Sequence, residues 1–264
     1  MSRQFRSVLI LLSVIAITSC TEAAPELAYV ERPVEELYNE ALAVLESGEY
    51  ADASLKFEEV ERQHPYSSWA TKAQLMSAYS YYQDDAYDSS IIALDRFIQL
   101  HPSNADVPYA FYLKALCYYE QISDVTRDQR MTDLAQNTLA ELVKRFPTSK
   151  YAKDAKLKLD LTRDHLAGKE IEIGRYYQKQ GQYLAAVNRF TVVIEKYQST
   201  THVPEALHRL TESYVALGLQ EQAQKAAAVL GHNFPGSDWY LDSYRLVEGK
   251  LLEPVQGDAW YKFW

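Results

Sequence analysis

From residue 34 to residue 250, apolar and polar positions alternate with the period of an α-helix, in stretches of roughly one dozen residues separated by short polar breaks. Apolar residues three and four positions apart fall on one face of a helix, so each stretch predicts an amphipathic helix with one buried face. Glycine and proline, which interrupt helices, occur only nine times each in 264 residues. The pattern therefore predicts an all-α protein in which short helices follow one another.

The polar breaks recur in the same form, a stop signal with proline at its third position. The five copies are residues 63–67, 100–104, 145–149, 196–200 and 233–237. Proline cannot continue a helix, and the Ser, Asn or Thr two residues later is suited to cap the next one. The fourth copy has Gln198 in place of proline. Upstream of four of the stops lies a short turn, which begins with Gly48, Asp85, Gly181 or Gly218.

Two helices joined by a tight turn and repeated along the chain form the unit of a tetratricopeptide repeat. Small residues, which let paired helices approach closely, recur at fixed places in both helices of each unit. In the first helix they are Ala41, Ala78, Ala115, Gly174 and Thr211, and in the second they are Ala53, Ser90, Ala135, Ala186 and Ala223. The predicted fold is an all-α tetratricopeptide-repeat solenoid of about five helix-turn-helix units with a C-terminal capping helix.

The spacing of the stop signals shows where the repeat is irregular. Successive stops are 37, 45, 51 and 37 residues apart, against a minimal repeat of about 34. The longer spacings predict an exposed polar loop at residues 123–128 in unit three and an elongated first helix in unit four, bent at Gly168. This helix would divide the solenoid into two halves. The predicted boundaries are a signal peptide at 1–19, a lipidated linker at 20–33, an N-terminal half with units one to three at 34–147, a C-terminal half with units four and five at 148–235, a capping helix at 236–250 and an aromatic tail at 251–264.

The N-terminal residues predict a lipid anchor. Arg3 and Arg6 precede a short apolar stretch at residues 8–17, and Thr18 and Ser19 lead directly into Cys20. This order is typical of a bacterial lipoprotein signal whose cysteine is acylated after cleavage, and the stretch is too short to span a bilayer. An ordinary signal peptide with an incidental cysteine, or an uncleaved anchor, is the alternative. A lipidated Cys20 predicts an outer-membrane protein that faces the periplasm and touches the membrane through its lipid alone.

Charge and motif content exclude several classes of function. Without residues 1–19 the chain has 25 basic and 36 acidic residues, and no basic stripe of the kind that neutralises phosphates is present, so nucleic acid is not an expected partner. Motifs for zinc proteases, serine hydrolases and phosphate-binding loops are missing. We therefore expect a protein that is not an enzyme and that holds neither a metal nor another cofactor.

Tyrosine is abundant, at 21 residues, and concentrates on the predicted inner face of the solenoid. In units one to three this face carries Tyr38, Tyr79, Tyr82, Tyr109, Tyr112 and Tyr119. In units four and five it carries Ile171, Arg175, Gln178, Lys179, Glu205, His208 and Glu212. Tyrosine offers a large contact area at low entropic cost, so the first set predicts a surface for an aromatic-rich segment, and the second predicts one for a charged, structured domain. Packing between units is the alternative role of each tyrosine.

Three stretches of residues 33–235 carry a family resemblance: residues 93–98 with the following His101 and Pro102, residues 146–151, and residues 176–177 with 186–189. In these stretches the chain resembles the BamD family, the tetratricopeptide lipoproteins of the outer-membrane β-barrel assembly (BAM) machinery. The resemblance implies a scaffold that binds BamA and other BAM subunits through its C-terminal half. It also implies that the N-terminal half receives the aromatic C-terminal signals of unfolded outer-membrane proteins.

The partner-binding residues predicted for the C-terminal half are Arg175, Lys179, Asn188 and Arg189. The resemblance places Arg189 in an Asn-Arg pair associated with coupling to BamA. The third turn is shorter than in enteric members of the family, and the tail at residues 251–264 has no counterpart there. The tail is either a disordered chain end or an anchor into a partner groove or the lipid interface.

Other classes of protein share parts of this pattern. A tetratricopeptide pilotin lipoprotein, which carries a secretin to the outer membrane, is the main alternative. A periplasmic scaffold for envelope constriction and a peptidoglycan-processing enzyme built on helical repeats are two others, and the latter would need a catalytic Glu or Ser in a deep pocket.

Overall fold

The computed structural model describes residues 31–248, which form eleven α-helices and no strand. In chain order these are α1 (Val34–Glu46), α2 (Tyr50–Gln63), α3 (Ser68–Gln83), α4 (Tyr87–Leu100), α5 (Val107–Tyr119), α6 (Arg130–Arg145), α7 (Ala152–Lys179), α8 (Tyr183–Lys196), α9 (Val203–Ala216), α10 (Gln220–Asn233) and α11 (Asp238–Val247). Each helix packs against its neighbours in sequence, and α11 packs on both α9 and α10. Five helix pairs and a capping helix confirm the predicted solenoid.

The second helix of every unit ends where the repeated stop signals predict. It ends at the first residue of the signal, Gln63 in the first unit and Asn233 in the fifth, two residues before the third position that proline usually occupies. Gly48, Gly181 and Gly218 have φ angles of 85°, 71° and 74°, and Asp85 has 57° in the equivalent place. Only glycine adopts this left-handed conformation without steric cost, which explains its recurrence at the turn.

The predicted caps are only partly present. Ser67 accepts a hydrogen bond from the backbone N–H of Ala70 at 3.0 Å, and Ser237 accepts one from that of Tyr240 at 3.2 Å. At the starts of α5, α7 and α9 no side chain caps the helix. The expectation of a Ser, Asn or Thr cap is therefore wrong for these three helices, because each helix begins three residues beyond the predicted capping residue.

All ten small residues of the five units are buried, as expected of positions where paired helices approach closely. In unit two the Ser90 hydroxyl donates to the carbonyl of Ala78 at 2.8 Å, which joins the two small positions directly. In unit four a Cβ placed on Gly174 would lie 2.3 Å from Cε1 of Phe190. The crossing in unit four therefore has room for glycine alone.

The apolar core consists of three clusters along the solenoid. The first lies in unit one around Phe57, and the second runs through units two and three and ends at Leu159. The third begins at Ala167 and continues through units four and five to α11. Two of the clusters thus meet the same helix, α7, at different turns. The division into functional halves remains a proposal.

The elongated first helix of unit four is present as α7, with 28 residues. It is continuous through Gly168, so the expected bend there does not interrupt it. Instead, Gly168 allows a close approach, because a Cβ at this position would lie 3.2 Å from Nε2 of His202 and 3.7 Å from Cγ1 of Val125. Glycine here accommodates the loops of two units against one helix.

The loop of unit three is largely exposed, as predicted, yet it is held in place. Lys169 of α7 donates to the carbonyl oxygens of Thr126 and Arg127 at 3.3 and 3.0 Å. Asp124 accepts hydrogen bonds from the hydroxyl and backbone N–H of Thr126 at 2.7 and 2.8 Å, and these bonds lower the pKa of its carboxyl. The loop is therefore ordered by its own turn and by the long helix.

Several predicted segments lie outside the described residues. They are the signal peptide, Cys20 with most of its linker, and the aromatic tail. Within residues 31–248, no helix is both long enough and apolar enough to cross a membrane.

Candidate functional site

Five half-buried tyrosines share one surface of units two and three and the start of α7. This tyrosine cluster consists of Tyr79, Tyr82, Tyr109, Tyr112 and Tyr151. The Tyr151 ring lies 5.2 Å from that of Tyr112 in a stacked arrangement and 5.4 Å from that of Tyr109. All five rings pack against the second core cluster, so the backbone of two units fixes their positions.

Hydrogen bonds and burial set the protonation state of this surface. The Tyr112 hydroxyl donates to Oδ2 of Asp154 at 2.6 Å. Burial raises the pKa of Tyr109 and of Tyr112, and the bond to Asp154 raises that of Tyr112 further. Both phenols therefore remain neutral at physiological pH. The cluster combines apolar ring faces with neutral hydroxyl groups, a pairing that suits an aromatic peptide.

Two of the six predicted tyrosines lie apart from the cluster. Tyr38 packs in the core of unit one, 5.5 Å from Phe57 and 4.9 Å from Trp69 between ring centroids. Tyr119 contacts Lys158, whose Nζ lies 5.2 Å from the ring centroid. Sequence reasoning missed Tyr151, because this residue lies outside the first helices of units one to three, from which the tyrosines of the inner face were taken. Its place in the stretch of family resemblance at residues 146–151 was the available signal.

The residues predicted for the inner face of units four and five form a charged network instead. Arg175 makes a two-pronged ion pair with Glu205, with N–O distances of 2.5 and 2.6 Å from Nη2, and it also bonds Glu172 at 2.6 Å. Arg209 bonds Oε2 of Glu212 at 2.8 Å and lies over the Trp239 ring at 5.5 Å. Glu205 is buried. These charges are thus largely satisfied within the protein.

His208 joins this network to the capping helix. It is buried, its Nδ1 lies 2.8 Å from the hydroxyl of Ser243 and its Nε2 lies 3.4 Å from Oε1 of Glu212. Its ring packs on Trp239 with a centroid distance of 5.1 Å. His208, which was predicted for the inner face, therefore links α9 to α11, and little of its side chain is exposed for contact with a partner.

The carboxyl of Glu212 makes the network sensitive to acid. Burial would raise its pKa, but the hydrogen bond and charge of His208 and the guanidinium of Arg209 outweigh burial and lower the pKa from 4.5 to about 2. A group with a depressed pKa in the folded state contributes stability above its unfolded pKa, and this stability is lost as the pH falls through the folded value. The window for Glu212 therefore runs from about pH 4.5 down to about pH 2.

We expect Glu212→Gln to lower the free energy of unfolding by on the order of 2 kcal/mol at pH 7, with the difference shrinking as the pH falls through that window. Chemical denaturation at a series of pH values measures it. Glu195→Gln, at an exposed carboxylate on α8, is the matched control. A destabilisation by Glu212→Gln that does not change with pH would contradict the assignment.

The four predicted partner-binding residues line two separate clefts. Arg175 and Lys179 belong to a cleft of about 570 Å3 on the charged network. Asn188 and Arg189 line another of about 220 Å3 beside Tyr177. Lys179 and Asn188 are exposed, and Arg189 pairs with Glu170 at 3.2 Å. The four residues therefore lie at two separate clefts of the C-terminal half and not at one.

Comparisons with known proteins identify the family. The YfiO family model, described as an outer membrane lipoprotein, matches residues 30–230. Outer membrane protein assembly factor BamD of Caulobacter vibrioides is 52% identical over 231 residues, which cover 88% of this chain and 76% of the relative. BamD of Rickettsia prowazekii is 47% identical over 216 residues, with coverages of 82% and 86%.

Among solved structures, the TPR domain of P58(IPK) aligns with 82% of this chain and 56% of that chain, at 16% identity and a TM-score of 0.40. The sequence relatives and the matched family model together leave one conclusion. The chain belongs to the BamD family of outer membrane lipoproteins.

Proposed function

We propose that this protein is a lipid-anchored scaffold of the outer-membrane protein assembly machinery, that it faces the periplasm and that it catalyses no reaction. Its N-terminal half receives the aromatic C-terminal signals of unfolded β-barrel proteins. Its C-terminal half binds BamA. Membership of the family supports the setting, and the difference between the tyrosine cluster and the charged network supports the division of labour.

The tyrosine cluster is the observation that carries the proposal for substrate. A disordered segment loses conformational entropy when it binds. A receptor whose aromatic side chains are already fixed loses little entropy of its own, and its affinity for the segment is higher for that reason. Tyr151 stacks on Tyr112, and Tyr112 is held by Asp154. Incoming aromatic rings can pack on these fixed faces, while the neutral hydroxyls can bond peptide backbone.

The C-terminal half supports a different kind of contact. Ion pairs such as Arg175 with Glu205 hold the surface in one conformation, which suits a folded domain that docks without rearrangement. Lys179 carries a charge without an ion pair among the residues that the structure describes. We assign Lys179, Asn188 and Arg189 to direct contact with BamA and Arg175 to positioning.

The substrate proposal predicts a loss of peptide affinity from the cluster. We expect Tyr112→Ala combined with Tyr151→Ala to weaken binding of a peptide with aromatic residues at its C-terminus by about tenfold or more, because both ring faces of one stacked pair are removed. Fluorescence anisotropy measures the dissociation constant. Tyr66→Ala removes a fully exposed tyrosine elsewhere and serves as the control. Equal losses in both variants would refute the assignment.

The partner proposal is tested by affinity isolation of the full-length lipoprotein from detergent-solubilised outer membrane. We expect recovery of a β-barrel protein that bears periplasmic domains. Recovery of a secretin in its place would establish the pilotin alternative and overturn the proposed function.

A further inference from the structure

The first three turns of α7 present an exposed face that combines apolar and basic side chains. Successive residues of a helix are 100° apart, so the face opposite the buried residues Ala155 and Leu159 carries Leu157 and Leu161 at one helical turn's spacing. These leucines are 60% and 50% exposed. Lys153 and Lys156 flank them and are also exposed. We call this surface, made of Lys153, Lys156, Leu157 and Leu161, the α7 ledge.

The irregular repeat explains why the ledge is uncovered. First helices of neighbouring units contact each other, as α1 does α3, α3 does α5 and α7 does α9. However, α9 begins only beside the middle of α7, where the backbone N–H of Thr201 donates to Asp164 at 2.9 Å and His202 approaches Gly168. Among the residues that the structure describes, the turns of α7 before Asp164 therefore lack the helix that would follow them in a regular solenoid.

Charge at the ledge is opposite to that of the whole protein. The chain has a net charge of −9, but residues 144–163 include seven basic and only two acidic side chains. Lys153 and Lys156 form no ion pair within residues 31–248, in contrast to Lys158, which pairs with Asp154 at 3.5 Å. The ledge thus presents unneutralised positive charge beside apolar surface.

We propose that the α7 ledge binds an acidic amphipathic helix supplied by a partner protein, in the place that a first helix would take in a regular repeat. Apolar residues of that helix cover Leu157 and Leu161, and its carboxylates meet Lys153 and Lys156. A leucine pair at i and i+4 forms the ridge against which another helix packs. Asp160 lies on the same face, but its carboxylate pairs with Arg163 at 3.3 Å, so the positive charge of the two lysines is kept. A membrane fits less well, because the uncovered turns are those that a neighbouring first helix would cover in a regular repeat.

Site-specific photocrosslinking in the full-length lipidated protein tests the proposal in the native envelope. A benzoylphenylalanine at position 157 is expected to form an adduct with one protein segment rich in Asp and Glu, identified by sequencing the crosslinked peptide. We expect Lys153→Glu combined with Lys156→Glu to reduce the adduct by about tenfold, because it reverses the charge at the interface. Lysine substitutions in the crosslinked segment should restore the adduct.

The controls use equivalent positions outside the ledge. Ile92 on α4 is 71% exposed and serves as the comparison site for the crosslinker, and Lys196→Glu changes an exposed lysine at the end of α8. Crosslinking to phospholipid or to a second copy of the chain, an adduct indifferent to the charge reversal, or no adduct above that at Ile92 would each overturn the proposal. Binding of aromatic peptides should be unchanged in the charge-reversal variant, which separates this outcome from failure of the proposed function.

Discussion

The Phe190→Ala substitution is expected to lower the free energy of unfolding by about 4 kcal/mol, because it leaves a cavity where the two helices of unit four cross. Phe190 is fully buried in the third core cluster, and its ring fills the space that the missing side chain of Gly174 leaves. Alanine leaves this space empty unless α7 moves towards α8.

Urea denaturation of the purified protein measures this loss. Leu184→Ala removes an apolar side chain from the same helix at a position that is 66% exposed, and we expect a change of less than about 0.5 kcal/mol there. Similar losses for both variants would show that α8 is not held by the contact between Phe190 and Gly174.

The other side of this contact offers a rescue experiment. Gly174→Ala places a methyl group 2.3 Å from the Phe190 ring, so overpacking is expected to exceed the gain in helix propensity and to destabilise the protein by about 1–3 kcal/mol. Phe190→Leu in the same chain shortens the opposing side chain and should recover part of the loss. Gly174→Ala without any loss would contradict the packing.

Replacement of Arg175 by leucine is the second large expected effect, a loss of about 3 kcal/mol in unfolding free energy. Glu205 is buried, and its carboxylate depends on two nitrogens of Arg175. Arg209 contacts the same carboxylate only at 3.5 Å. Without Arg175 the carboxylate of Glu205 remains desolvated, and it loses most of the hydrogen bonds and positive charge that offset the free-energy cost of its burial.

A double-mutant cycle separates this cause from a general loss of packing. Arg175→Leu with Glu205→Leu removes both charges and should be more stable than Arg175→Leu alone, since no buried carboxylate is left unpaired. Arg189→Leu breaks a more exposed pair at 3.2 Å and should cost less than about 1 kcal/mol. An additive double variant would show that Glu205 does not depend on Arg175.

These expected effects bear on how partner binding is measured. If an Arg175 variant no longer binds BamA, two causes are possible, because Arg175 is paired with Glu205. Either a direct contact is lost, or the surface around Glu205 is disturbed. Lys179 supports no other side chain through an ion pair among residues 31–248. Lys179 is therefore the better position at which to test direct contact.

Local signals in the sequence were sufficient for the repeat architecture. The turn glycines were predictable because a left-handed backbone excludes most other residues, and the stop signals because proline cannot continue a helix. Gly174 was predictable as a small residue at a crossing, but its close contact with Phe190 was not, since the two residues belong to different helices. Side-chain caps were predicted for helices that lack them, such as α5, α7 and α9. The residue at which a helix starts depends on the geometry of the preceding loop as well as on residue type.

The sequence by itself determined the fold class, the number of units and the contrast between an aromatic and a charged set of residues in the first helices, because each depends on short-range periodicity. Only the tertiary structure decided which tyrosines meet. It joined Tyr151 to Tyr112 across two units and placed Tyr38 in another core. It also showed that Arg175 is held in an ion pair with Glu205, and that Leu157 and Leu161 near the start of α7 are exposed. The physical reason is that contacts between units depend on the superhelical path of the backbone, which an elongated helix shifts and which no local pattern of residues records.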